Sequence, residues 1–280
     1  MSVAQFKPTI WSAKLFMELD KAHVLVGLAN RDYEGEIRGY GDQVKINGLG
    51  DITVFNYAPN VTSITPQQLA AEQTILKIDQ SKGFAFYIDD VDAAQVKPKL
   101  MAEAMRKAAV ALGNVSDQLI AGFHTDAGVN VSSTSVTVAN ALSVIAEAAE
   151  GLDENDVPMQ GRWMVIPPWF HSKLVLNKIL ETDGSVDANN AYGNGFVGRA
   201  FGFDMYMSNN LTSGTSTSVT NSHYALAGTS RAISFAEQIV KMEAYRPENS
   251  FSDAVKGLHV YGAKVVDPNA LASIMISTTS

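Results

Sequence analysis

DDVDAAQVKPKLMAEAMRKAAVALGNVSDQLIAG, residues 89–122, carries the longest uninterrupted regular signal in the chain. Within it Met101, Met105, Ala108, Leu112, Val115 and Leu119 recur at alternating steps of four and three, which places them in one apolar stripe on a helix. No proline interrupts the stripe. Pro98 suits a first-turn position, and Asp89, Asp90 and Asp92 suit a helix entrance, where carboxylates meet unpaired amides and the positive end of the dipole. The spacing predicts a helix over 98–122 that is about 35 Å long. A helix of that length can brace a whole domain.

Upstream of the helix, the texture changes to strand and turn. Val44-Lys45-Ile46 alternates, Gly48-Leu49-Gly50 turns the chain, and Ile52-Thr53-Val54 resumes it. After Tyr57, Pro59 and a polar stretch through Gln68 come two more strand-like runs, 75–78 and 84–88. The four runs predict a long two-stranded projection, which is marginally stable alone and must rest on another surface. Before it, residues 8–28 set Ile10, Leu15 and Leu19 against Lys14, Glu18 and Lys21, the pattern of a short amphipathic arm.

Downstream, residues 126–137 read as a loop or short hairpin, and 139–152 as a second helix with Leu142, Ile145, Ala146 and Ala149 on one side. Residues 162–166 form a buried strand stopped by Pro167-Pro168, and helical spacing resumes over 170–180. Phe201, Phe203, Met205 and Met207 alternate as in a strand; further strands are expected at 224–226, 232–235, 258–266 and 271–276. The fold class is α+β.

The chain has 280 residues, 46% of them hydrophobic and 18% charged, enough for a large core. A formal charge of −8 argues against a protein whose main task is gripping nucleic acid phosphates. The absence of cysteine removes disulfides, thiolate metal sites and cysteine nucleophiles together. No stretch approaches the apolar length of a membrane span.

Motifs for chemistry fail their context tests. Gly193-Asn194-Gly195-Phe196-Val197-Gly198 matches the dinucleotide fingerprint in letters, but it lies between a polar loop and a strand-like run, not between a strand and a helix. Asp79, Asp89, Asp90 and Asp92 lack cation-loop spacing and read as capping and solvated surface. His23, His124, His171, His223 and His259 are scattered without ligand spacing, and His124-Thr125-Asp126 has no nucleophile elbow beside it. Neither a catalytic residue, a cofactor nor a metal is expected.

Several patches carry a family resemblance. They are Asn30 to Ile37 with Gly41-Asp42 and Val44-Lys45-Ile46; Gly50-Asp51-Ile52-Thr53-Val54; and Ile78-Asp79-Gln80 leading through Phe84 and Phe86 to Asp92. Gly198-Arg199, Gly202-Phe203, Ser208-Asn209-Asn210-Leu211, residues 261–266 and Pro268 with Ala270-Leu271 continue them. In these the chain resembles the major capsid proteins of tailed double-stranded DNA bacteriophages with the HK97-like fold. The resemblance implies an N-terminal arm (1–28), an extended β-ribbon loop with adjoining strands (29–90), a peripheral domain with a long spine helix (91–129 and 247–280) and an axial domain (130–246). It also implies a non-enzymatic protein that assembles with copies of itself into hexamers and pentamers of an icosahedral head, built in the host cytoplasm around packaged DNA, with a portal and no membrane.

Two departures bear on assembly. The chain starts directly at the arm, without the long leading segment of some members, so a separate scaffolding protein, or none, is expected. From Val54 to Glu72 there is no lysine to cross-link through, so a noncovalent shell is expected. Phe55, Tyr57 and Pro59, aromatic and apolar groups near the loop tip, are the expected inter-subunit contacts. The alternatives are an encapsulin-like nanocompartment shell and a cytosolic hydrolase using His124.

Overall fold

The computed structural model describes residues 23–33, 40–49, 54, 56, 71–89, 100–133, 136–176, 196–214, 220–246 and 252–278. Strands β1 (Gln43–Leu49) and β2 (Ala71–Lys77) form an antiparallel ribbon. Strand β3 (Gln80–Asp89) does not lengthen that ribbon, as the run at 84–88 suggested, but pairs with β10 (Ser252–Val265), which also pairs with β9 (Ile233–Tyr245). The remaining strands build a six-stranded mixed sheet. They are β4 (Val129–Ser133), β5 (Arg162–Ile166), β6 (Phe196–Ala200), β7 (Phe203–Met207), β8 (Thr220–Thr229) and β11 (Leu271–Thr278), in the order β4-β11-β8-β5-β7-β6. Pairing thus crosses the expected division of the chain at 246/247: β9 joins the sheet of β10, and β11 lies between β4 and β8. Side-chain alternation marks a run as a strand but does not name its partner.

The long helix α1 spans Leu100–Ala121, within two residues of its expected start and one of its expected end. Its buried face is Met105, Ala109, Leu112, Ser116, Asp117, Ile120 and Ala121, so the expected stripe is rotated toward positions that include two polar residues. The N-terminal half packs Met105, Ala109 and Leu112 against Phe84 and Phe86 of β3, Met242 of β9 and Val255 of β10. The C-terminal half contributes Ile120 and Ala121 to the main core around the six-stranded sheet. Helix α1 therefore spans two cores, which is what a brace requires.

Helix α2 (Ala141–Glu154) buries Ala141, Val144, Ile145, Ala148, Ala149 and Leu152, and touches β4 and β11. Of the expected side, Ile145 and Ala149 are buried, while Leu142 and Ala146 flank the contact. All five residues of β5 are buried, consistent with a strand covered on both faces. Pro167 follows the end of the strand and Pro168 opens helix α3 (Pro168–Leu176), the position where its missing N–H costs nothing. Phe201 is not in a strand: with Gly202 it forms the β6–β7 turn, at φ 49° and 80°. Those two positive values match the twist of a tight hairpin.

Candidate functional site

Residues 23–33 precede the ribbon in sequence, and they are held from two distant parts of the chain, α1 and β9. The carboxylate of Asp117 on α1 accepts the Val24 N–H at 3.0 Å on Oδ2, and the Leu25 and Val26 N–H groups at 3.1 Å each on Oδ1. Those amides open a short 3-10 turn at Val26–Leu28, so Asp117 acts as its cap from about ninety positions away. Asn30 then bridges to the start of β9. Its N–H donates to the Ile233 carbonyl at 2.8 Å, and its carbonyl accepts the Phe235 N–H at 2.9 Å.

One turn further in, Glu237 of β9 is the hub of a charged cluster. Its Oε1 accepts Arg31 Nη2 at 2.9 Å, and its Oε2 accepts His259 Nε2 at 2.9 Å, from β10. His23 Nδ1 lies 3.8 Å from the same Oε1 that Arg31 holds. The side chains of His23, Glu237 and His259 are almost wholly buried, while that of Arg31 is 24% exposed. His259 stacks on Tyr261 with centroids 5.0 Å apart, and His23 meets Phe235 edge-on at 6.3 Å. Because a carboxylate only accepts, His259 carries its proton on Nε2. Both ring nitrogens of His23 and Nδ1 of His259 are buried without a hydrogen-bond partner.

Burial dominates the electrostatics. It pushes His23 below the ordinary histidine value, with Glu237 and Asp117 pulling the other way and Arg31 and His259 reinforcing the drop. Burial likewise pushes the Asp117 carboxyl above the ordinary carboxylate value, opposed by the N–H groups of Val24 and Val26, by His23 and by the Asn210 side chain. The sequence signals were a carboxylate inside an apolar helix stripe and another inside the apolar run 232–240. A buried carboxylate requires partners, but nothing local names them.

The ribbon is anchored beside this cluster. Val44, Ile46 and Leu76 face inward and pack with Ile78, Ala236 and Val260, while Lys45, Ile75 and Lys77 face outward. Its base is thus part of the subunit core. Gly262 permits the close approach of β10: a Cβ there would collide with the Lys77 carbonyl oxygen.

Phe55, Tyr57 and Pro59 lie outside the described residues; their neighbours Val54 and Asn56 are exposed. His124 sits in the turn after α1, where Nδ1 donates to the Ala121 carbonyl at 3.1 Å and the ring stacks on Tyr224 at 4.0 Å. That is a helix-end histidine, not a general base facing a nucleophile. The last glycine of the Gly193–Gly198 motif, Gly198, lies inside strand β6 and not at the start of a helix, so the context of a dinucleotide fingerprint is missing. Among the described residues, Asp79 is exposed and accepts the Gln80 side chain, and no group of side chains is arranged to hold a metal ion.

Comparison with curated protein sequences finds no match. Solved structures do match. A chain of Mycobacterium phage Che8 is 29% identical with a TM-score of 0.71, over 90% of each chain. The capsid structure of Cyanophage P-SCSP1u gives 18% identity and 0.67, over 92% of this chain and 87% of that one. A virus-like particle from Pyrococcus furiosus gives 11% and 0.58, over 95% and 98%. The last two show the fold alone. A family model described as phage capsid protein matches residues 71–274, from the second ribbon strand to the last strand of the six-stranded sheet. The chain therefore belongs to the phage capsid proteins, as a structural, self-assembling major capsid subunit with the HK97-like fold.

Proposed function

We propose that many copies of this chain assemble in the host cytoplasm into hexamers and pentamers that close an icosahedral head around double-stranded DNA, joined by a portal and a separate scaffolding protein. The match over residues 71–274 carries the reading. In this assembly α1 is the spine, 1–28 the arm, and the ribbon from β1 and β2 the part that reaches a neighbour. Phe55, Tyr57 and Pro59 make contacts at its tip; the 91% exposure of Val54 supports a surface completed only by another subunit. A formal charge of −8 suits a container that holds DNA without adhering to it.

Electron microscopy of the purified protein tests this directly, with closed shells expected and small discrete oligomers counting against it. Replacing Phe55 and Tyr57 together by alanine lowers shell yield without unfolding the subunit; unchanged yield removes the tip from the interface. The shell dissolves to single chains in denaturing gels, because residues 54–72 carry no lysine. A second reading, a compartment enclosing protein cargo, is favoured by the likeness to the Pyrococcus furiosus particle. Nucleic acid content against protein content of purified shells separates the two.

A further inference from the structure

Glu237 Oε1 stands between a permanent cation and a group that can become one, and only the first holds it. Arg31 Nη2 is bonded at 2.9 Å, while His23 Nδ1 waits at 3.8 Å with no partner of its own. The groups facing His23 are Glu237 from β9, Asp117 from α1, His259 from β10 and Arg31 from its own segment. Without a proton, the His23 ring needs nothing from Glu237. With one, it is a buried imidazolium whose N–H groups must find an acceptor, and the carboxylate oxygen 3.8 Å from Nδ1 is the one that already accepts from Arg31. Arg31 is the partner that can leave, since its side chain already reaches solvent and that of His23 does not.

We propose that His23, Arg31 and Glu237 form a proton-operated latch on the root of the arm and ribbon. At neutral pH, Glu237 holds Arg31 and adds to the two backbone bonds of Asn30 that tie this segment to β9. Proton uptake by His23 transfers Oε1 to its Nδ1–H, releases Arg31 from Glu237, and loosens the segment that leads into the ribbon. His259 keeps Oε2 throughout, so Glu237 stays in place while its other oxygen changes partner. The latch rests on contacts within one subunit, so its failure leaves the shell reading intact.

Hydrogen exchange of the purified full chain, corrected for the intrinsic pH dependence, tests the latch. Segment 24–33 is followed against α2 at about pH 7.5 and about pH 4.5, the lower value chosen because burial holds His23 below the ordinary histidine range. Wild type is expected to lose protection at 24–33 by about tenfold between the two, as protonation is linked to opening, with α2 unchanged. His23→Leu keeps the volume, removes the proton site and abolishes the step. Arg31→Gln provides an independent arm: it opens the root already at the higher pH and shows little further change. A pH step of equal size in His23→Leu and wild type overturns the latch, as does no step in wild type. Should His23→Leu not fold, full protection of Arg31→Gln at the higher pH overturns it on its own.

Discussion

Replacing Asp117 by alanine removes the only described acceptor for the Leu25 and Val26 N–H groups and the one at 3.0 Å from the Val24 N–H. The first two bonds are buried and the third partly so. An unsatisfied buried donor costs about 1–3 kcal/mol. Three orphans would set an upper figure well above that, but the substitution also returns the desolvation energy of a buried carboxylate, whose presence is evident in the upward push on Asp117. The net loss is expected at about 2–4 kcal/mol, and about half of that for Asp117→Asn, which keeps one carbonyl oxygen for the two buried amides. Urea denaturation of dispersed subunits gives the free energy, and amide exchange at Leu25 and Val26 locates it. An alanine variant within about 0.5 kcal/mol of wild type, with Leu25 and Val26 equally protected, would refute the capping argument.

Gly262→Ala forces a methyl against the Lys77 carbonyl, a backbone atom that cannot swing aside, so a loss of about 2–3 kcal/mol and earlier proteolysis of β1 and β2 are expected; wild-type protease resistance contradicts this. Phe201→Asn relieves an aromatic residue held at φ 49° and should raise subunit stability by about 0.5–1 kcal/mol in thermal melts, whereas a loss would show that the exposed ring makes a compensating contact. Arg162 is buried, with Nε donating to the Pro158 carbonyl at 3.1 Å and Nη2 to Asp153 Oδ1 at 2.7 Å; Arg162→Ala should cost about 3 kcal/mol in the same melts, and a neutral result would remove it from the list of core supports. Because His23 is depressed below 6.5, its stabilising contribution is complete above that value and is lost as pH falls through the depressed one. Asp117, raised above 3.8, acts in the opposite sense, contributing fully below that value and losing its contribution as pH rises through the raised one. Melting wild type and His23→Leu across this range isolates the histidine; parallel curves would deny it a role.

Elements whose residues repeat locally were legible in the chain. The step pattern placed α1 within two residues, and the apolar run before Pro167 identified β5 as buried. Strands β9 and β10 are longer than their apolar cores suggested, because Lys241, Glu243 and Lys256 occupy one exposed face and form ion pairs there. The rotation of the α1 stripe escaped notice because hydropathy excludes Ser116 and Asp117, which are buried through hydrogen bonds, not through transfer from water. The candidate site was least legible of all. Residues 23, 31, 117, 237 and 259 meet only once β9 has paired with β10 and α1 and segment 23–33 have docked beside them, and such long-range pairing leaves no periodic trace. The turn at Phe201 misled for a simpler reason: it continues the alternation of Phe203, Met205 and Met207 by chance.

In the proposed shell the body of each chain is braced by α1 and the ribbon reaches a neighbour. A cryo-electron microscopy reconstruction of particles formed by the protein measures both at once. Five-fold and six-fold capsomers are expected, each subunit showing α1 against β3, β9 and β10, with residues 50–70 lying on an adjacent subunit. Particles without such capsomers, or residues 50–70 folded back on their own subunit at every position, would contradict it.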